Sequence, residues 1–177
     1  MAGQRLTDKT ALEQQAGSGD LLMVVDVNDT TGSSEGTSKK MDFKYVIQTD
    51  KFTLSNADIQ ALNTTPKTLV GALSGYMVTP FNVTILTTYA ASTETSATNL
   101  FLGYDSSQNT LYWDNISRMM YNKTTSNTFV QGGAVTAGAG VYTASIINRP
   151  FEMWSSAAFN GGWSADVYVT YAYTKVL

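Results

Sequence analysis

The chain has 177 residues, with 11 Lys+Arg against 14 Asp+Glu and neither His nor Cys. That length supports one domain, or one domain with an appendage, and is long enough to bury a core. The missing His and Cys exclude thiol nucleophiles, disulfides, Fe–S ligation, the Ser-His-Asp constellation and most zinc and haem sites; the net charge of −3 argues against a nucleic-acid partner.

Met1 to Thr10 is polar, and no apolar run approaches the ~18 residues of a membrane span. Neither a signal peptide nor a membrane partner is therefore expected. Five Asn-x-Ser/Thr triplets, at Asn28, Asn63, Asn82, Asn115 and Asn122, follow from the abundance of Ser and Thr and carry no glycosylation argument without a secretory route.

Charge divides the chain. Residues 1–65 carry nine acids and six bases, whereas residues 66–177 carry five of each in 112 positions. The second part is filled with Thr, Tyr, Val, Asn and Gly, which favour pleated, half-buried surfaces and turns. The expectation is a mainly β protein: an N-terminal arm (1–65) with short helices and a hairpin, then a β-sandwich or jelly-roll domain (66–177).

In the arm, Thr7 can cap a helix over Asp8–Gln15 that Gly17 stops. Asp20–Val27 is an apolar run of strand length, and Asn28–Ser38 is a turn-rich loop. Lys39–Ile47 alternates, with Met41, Phe43 and Tyr45 on one side and Asp42 and Lys44 on the other, so the two strands form a hairpin. A second helix starts at the N-cap Ser55, with Asp58 at N3 and a Leu54–Ile59 staple; Asn63 ends it in a left-handed conformation before Pro66. With so few large apolar residues, the arm is poorly equipped to fold alone, and neighbouring subunits are expected to hold it.

Strands are expected in the second part at Phe81–Tyr89, Asn99–Tyr104, Thr110–Trp113, Ser117–Tyr121, Asn127–Gln131, Val141–Ile147, Phe151–Ser155 and Asp166–Lys175. Val83, Ile85, Thr87 and Tyr89 share a face, as do Leu100, Leu102 and Tyr104, and Val167, Val169, Tyr171 and Tyr173. Turns at Asp105–Ser107, Gly132-Gly133, Gly138–Gly140 and Asn160–Gly162 separate them. Strands at this spacing indicate a sandwich or jelly roll.

Three chemistries are weighed. Asp26, Asn28 and Thr30 alternate ahead of Gly32 in the manner of a calcium loop. The Gly comes one residue late and Glu35 falls too early, so a solvated hairpin loop is preferred and no metal is expected. Trp113, Trp154 and Trp163, with Tyr112 and Tyr121, can stack on a sugar or fill a core, and Trp163 is the ring expected at the surface. The acids Glu94, Asp105, Asp114, Glu152 and Asp166 are the equipment left for a two-carboxylate hydrolase. Spread over the domain and mostly beside turns, they read as turn and edge residues; no catalytic residue and no cofactor is expected.

Asp20, Leu22, Val24, Val25, Asp26, Val27, Asp29, Thr30 and Thr31, followed by Thr37, Lys39, Lys40 and Met41, resemble the N-terminal segments of tailed-phage virion proteins. There the pattern D-x-L-x-V-V-D-V-x-D-T-T precedes a Gly/Ser/Thr loop and T-x-K-K-I; Met41 replaces the final Ile. Ala61–Val70 (ALNTTPKTLV) is similar to the L-N-x-T-P-x-T-L-V opening of a β domain of phage structural proteins, with Gly71–Tyr76 in place of P-A-P-G-A-G-K. Gly161–Tyr171 is similar to that domain's closing G-G-x-x-x-x-x-V-Y-V-T-Y strand.

The resemblance implies a non-enzymatic homotrimeric head fibre or capsid decoration protein on the virion surface, assembled in the host bacterial cytoplasm. Its arm would dock on the major capsid protein or another virion protein through Leu21, Leu22, Val24, Val25, Met41, Phe43 and Tyr45, the contact shaping the Asn28–Ser38 loop. A tail-fibre base or adaptor, and a host-surface glycan binder using Trp113, Trp154 or Trp163, are the alternatives.

Overall fold

The computed structural model describes residues 20–42, 46–104, 120–126 and 146–176, and the backbone of 111–113 and 127–132. The chain divides into two compact units, Met1–Val46 and Ile47–Leu177.

In the first unit, strands β1 (Leu21–Asp26) and β2 (Thr37–Asp42) form an antiparallel pair, with Leu21 opposite Asp42 and Asp26 opposite Thr37. The hairpin is as expected. Its second strand begins earlier than the Lys39–Ile47 alternation proposed and ends at Asp42; Val46 and Ile47 are not in a strand. The expected helix at 8–15, and Phe43 and Tyr45, lie outside the described residues.

The second unit runs through β3 (Gln48–Leu54), α1 (Asn56–Ala61), β4 (Lys67–Val70), β5 (Tyr76–Tyr89), β6 (Leu100–Tyr104), β7 (Leu111–Trp113), β8 (Asn127–Gly132), β9 (Phe151–Ser155) and β10 (Trp163–Lys175). Its strands form two antiparallel sheets, ordered β3-β10-β5-β8 and β4-β9-β6-β7. Counting these strands from first to eighth, the orders read 1-8-3-6 and 2-7-4-5. First pairs with eighth, second with seventh, third with sixth and fourth with fifth. This nesting is the jelly roll, two Greek keys folded into facing sheets.

The core lies between the sheets. Val83, Ile85, Val167 and Val169 from one meet Leu100, Leu102, Phe151 and Met153 from the other, each at most 3% exposed. The alternation that period-2 patterning requires is kept along β5 and β10: Ile85 opposes Val167 and Val83 opposes Val169, all inward. Outward, Tyr168 opposes Thr84 and Asp166 opposes Leu86. The register shifts between Thr170 and Tyr171, where Asn82 and Pro80 are the partners. Phe81 is the extra residue of this bulge and is turned outward, 45% exposed.

Helix α1 starts as its sequence dictates. The Ser55 hydroxyl accepts the Asp58 N–H, and the Asp58 carboxylate accepts the Ser55 N–H at 2.9 Å, closing the capping box. Leu54 and Ile59 are both buried. The C-terminus differs from expectation. Leu62, in right-handed helical geometry, is the C-cap, and Asn63 is not among the residues with positive φ. The Ala61 carbonyl instead accepts the N–H groups of Thr64 and Thr65, so the exit needs no left-handed residue.

The division at 65/66 is corrected by these elements. β3 pairs with β10 over seven residues, from Leu54–Ala165 to Gln48–Tyr171. Ile59 and Leu62 belong to the core, and the Asn56 carboxamide accepts the Trp163 N–H at 2.9 Å. Residues 48–62 are therefore part of the jelly roll. Charge composition misplaced the boundary because an edge strand and a surface helix each keep one polar face.

Candidate docking surface

Alternation along β1 sends Leu21, Met23 and Val25 to one face, and Val27 follows in the turn. These four are 56%, 73%, 58% and 68% exposed, the densest stretch of open apolar side chain among the described residues. Opposite Leu21, Met23 and Val25 on β2 stand Asp42, Lys40 and Ser38, so the row is a narrow apolar ridge with a polar flank. The other face pairs Leu22 with Met41 and Val24 with Lys39. A groove of about 360 Å³ is lined by Leu21, Leu22, Met23, Ser38, Lys39 and Lys40.

The loop that joins the strands is fixed by its own polar groups. Asp26 accepts the Asn28 N–H at 3.1 Å, and Asp29 accepts both the Thr31 N–H at 3.0 Å and its hydroxyl at 2.7 Å. The Thr37 hydroxyl accepts the Gly32 N–H at 2.9 Å. Gly36 sits at φ +119°, and a Cβ there would stand 2.8 Å from the Asp26 carbonyl oxygen; only glycine fits. The Lys39 ammonium is 3.1 Å from Asp26 and 2.7 Å from Asp29.

These bonds tie together the Asp, Thr and Lys positions of the sequence pattern noted above, and they give the pattern a physical meaning: it encodes a self-supporting turn. Of the alternating residues that suggested calcium, Asp26 pairs with the chain's own Lys39, which also reaches Asp29. Lys39, with the Thr31 bonds next, holds Asp29 well below the usual carboxylate range. Lys39 and the Asn28 N–H lower Asp26, and the two carboxylates raise Lys39.

Of the residues expected to dock, Leu21, Leu22 and Val25 are exposed on β1, while Val24 and Met41 are half-buried. Met23 and Val27, the two most exposed, were missed. Strict alternation from Leu21 was the signal that identifies them.

The other candidate sites separate. Trp154 is 6% exposed and stacks on Phe101 with ring centres 5.7 Å apart; Trp163 is 1% exposed and meets Tyr89 edge-on at 5.2 Å. Neither can offer its face to a sugar. The expectation of a surface Trp163 is corrected, because the strand begins at this residue and turns it inward. Of Trp113 only the backbone is described.

Nor do the described acids converge. Glu94 is 0% exposed and bonded on both oxygens. Glu152 accepts from the Thr68 hydroxyl at 3.3 Å on the outer face of one sheet. Asp166 pairs with Lys51 at 2.9 Å and accepts from Thr53 at 2.7 Å on the outer face of the other. Asp105 and Asp114 lie outside the described residues.

No family model and no curated protein matches the chain. Among solved structures it is similar to the "Cyanophage Pam1 capsid asymmetric unit" at 13% identity and a TM-score of 0.40, covering 96% of each chain. It is also similar to "PRD1 vertex protein P5" at 13% identity and a TM-score of 0.36, covering 90% of this chain and 85% of that one. Both likenesses fall below the level that establishes a shared fold.

Proposed function

We propose that this protein is a non-enzymatic structural component of a tailed-phage virion, a homotrimeric head fibre or capsid decoration protein on the virion surface. The hairpin docks on the major capsid protein or another virion protein, and the jelly roll projects outward. One observation carries this reading: an apolar ridge of Leu21, Met23, Val25 and Val27 lies open on a hairpin that forms a unit of its own. A two-stranded hairpin is marginal in water by itself, and a contiguous exposed apolar row marks a contact surface. The turn that shapes the hairpin is built from the residues resembling phage virion segments. The body suits a scaffold: the outer-face acids Asp166 and Glu152 are engaged by Lys51 and Thr68, and Trp154 and Trp163 are buried.

The test is association of the full chain with purified particles lacking it, with antibody label locating it on heads or tails. A Met23→Asp/Val25→Asp double variant is expected to lose association by at least about a hundredfold, since each apolar side chain withdrawn from water contributes ~1.5–3 kcal/mol. Circular dichroism of its β body should be unchanged. Undiminished association of that variant, or label confined to tails, overturns the reading.

A further inference from the structure

Asn160–Gly161 is the only Asn-Gly pair in the chain. Such a pair can react with itself. The Gly161 nitrogen attacks Cγ of the Asn160 side chain, forming a C–N bond. The Cγ–Nδ2 bond breaks, and the proton lost from the Gly161 nitrogen departs with the amide as ammonia. Water then opens the five-membered imide at either carbonyl, giving aspartate or its β-linked isomer. Glycine favours the attack because no side chain shields its nitrogen, and asparagine counts among the thermolabile residues.

The fold places a buried carboxylate on that nitrogen. Glu94 Oε2 accepts the N–H of Gly161 and the N–H of Asn160, each at 2.8 Å, and Oε1 accepts the Ser96 N–H at 2.7 Å. The Asn160 carboxamide is held at both ends by Thr95, accepting its N–H at 3.0 Å and donating to its hydroxyl at 2.9 Å. Alongside, the Gly162 N–H donates to the Ser92 carbonyl and the Ala90 N–H to the Gly162 carbonyl.

Both partners are tied into this geometry. A Cβ on Gly161 would stand 2.7 Å from Trp163 Cδ1 and 2.9 Å from the Glu94 backbone nitrogen and Cα. The Asn160 carboxamide supplies both the acceptor and the donor that Thr95 engages, which a carboxylate would not. The packing therefore requires glycine at 161 and restrains both reacting groups of the pair.

We infer that Asn160–Gly161 is a latent deamidation site that Glu94 keeps closed. While the Gly161 N–H is committed to Oε2 and the carboxamide to Thr95, nitrogen and Cγ cannot swing together. The carboxylate's charge also opposes the negative charge that develops on the attacking nitrogen. Reaction proceeds only through molecules in which the contact between residues 92–96 and 160–162 has opened.

The test keeps the full-length protein in mildly alkaline buffer and reads Asn160 conversion by peptide mass spectrometry, beside the same chain in urea and a Glu94→Gln variant. The native chain is expected to convert at least about tenfold more slowly than the unfolded one, each ~1.4 kcal/mol of opening free energy supplying one factor of ten. Glu94→Gln is expected to convert faster than the parent with its β circular dichroism retained.

If that variant fails to fold, hydrogen exchange of the parent's Gly161 amide decides. It should be slow, and should quicken in step with Asn160 conversion as sub-denaturing urea is added. Equal conversion in native and unfolded chains overturns the inference, and so does a Gly161 amide exchanging like an exposed one. A folded Glu94→Gln at the parental rate also removes Glu94 from the role.

Discussion

Glu94 shows what a single residue does when its surroundings, and not its type, decide its part. In the sequence it is one of five acids, most of them beside turns. In the fold it is fully buried, and three backbone N–H groups depend on it. Truncation leaves those donors without a partner, and an unsatisfied buried polar group costs ~1–3 kcal/mol. Glu94→Ala is therefore expected to lower stability by about 3 kcal/mol or more in urea unfolding; a loss under about 1 kcal/mol would mean that water replaces the carboxylate.

Asp58 acts through pH. The Ser55 hydroxyl, with Lys67 and the Ser55 N–H after it, lowers its carboxyl from an ordinary 3.8 to about 2. The unfolded chain thus binds the proton more tightly, and stability rises with pH in this window. The contribution is complete above pH 3.8 and fades as pH falls towards 2. Asp58→Asn should flatten the stability profile across that window; an unchanged slope would show that the capping box is not coupled to folding.

At the scale of elements, local chemistry marks α1, β5 and β10 clearly. The Ser55 cap, the Leu54–Ile59 staple and the inward rows Val83-Ile85 and Val167-Val169 are all legible because each depends on neighbours within a few residues. β3 was not legible. Gln48-Thr49-Asp50-Lys51 reads as polar chain, yet Gln48 and Leu54 are buried and the strand closes the sheet edge beside β10. The first half of β5 was also missed, since Pro80 argues against a strand; the bulge at Phe81 is what accommodates it.

Truncation separates the two readings of the boundary. Removing residues 1–46 is expected to leave a cooperatively unfolding body. Removing 1–62 deletes β3 and α1, with Leu54, Ile59 and Leu62, and is expected to abolish the transition. A folded product from the longer deletion would restore the boundary at Pro66.

For the whole molecule, the jelly roll explains how so few charges suffice. Its folding rests on apolar faces brought together by nested antiparallel pairs, with Gln48, Thr87 and Ser155 among the few polar strand residues that are buried. The outer face of the β3-β10-β5-β8 sheet is linked by hydroxyl pairs, Thr49 with Thr170 at 2.9 Å and Thr79 with Thr174 at 2.7 Å. Such pairs support cross-strand register without ionised groups. The proposed trimer is a property of this scale. Light scattering at micromolar concentration is expected to give three times the 19.1 kDa of one chain, and a single-chain mass would refute the trimer.

By itself the sequence determined the β class, the hairpin, the capped helix and the inward rows, and its lack of His and Cys excluded whole chemistries. It did so because side-chain period, capping and residue chemistry are local properties. Only the tertiary structure decided that β3 joins the body, that the strands nest as a jelly roll, and that Trp154, Trp163 and Glu94 are interior. The physical reason is that alternation tells a residue its face but not its partner. The partner of Phe52 is Val167, and the acceptor for Gly161 is Glu94; these pairings are made by the closing of loops, and no local pattern records them.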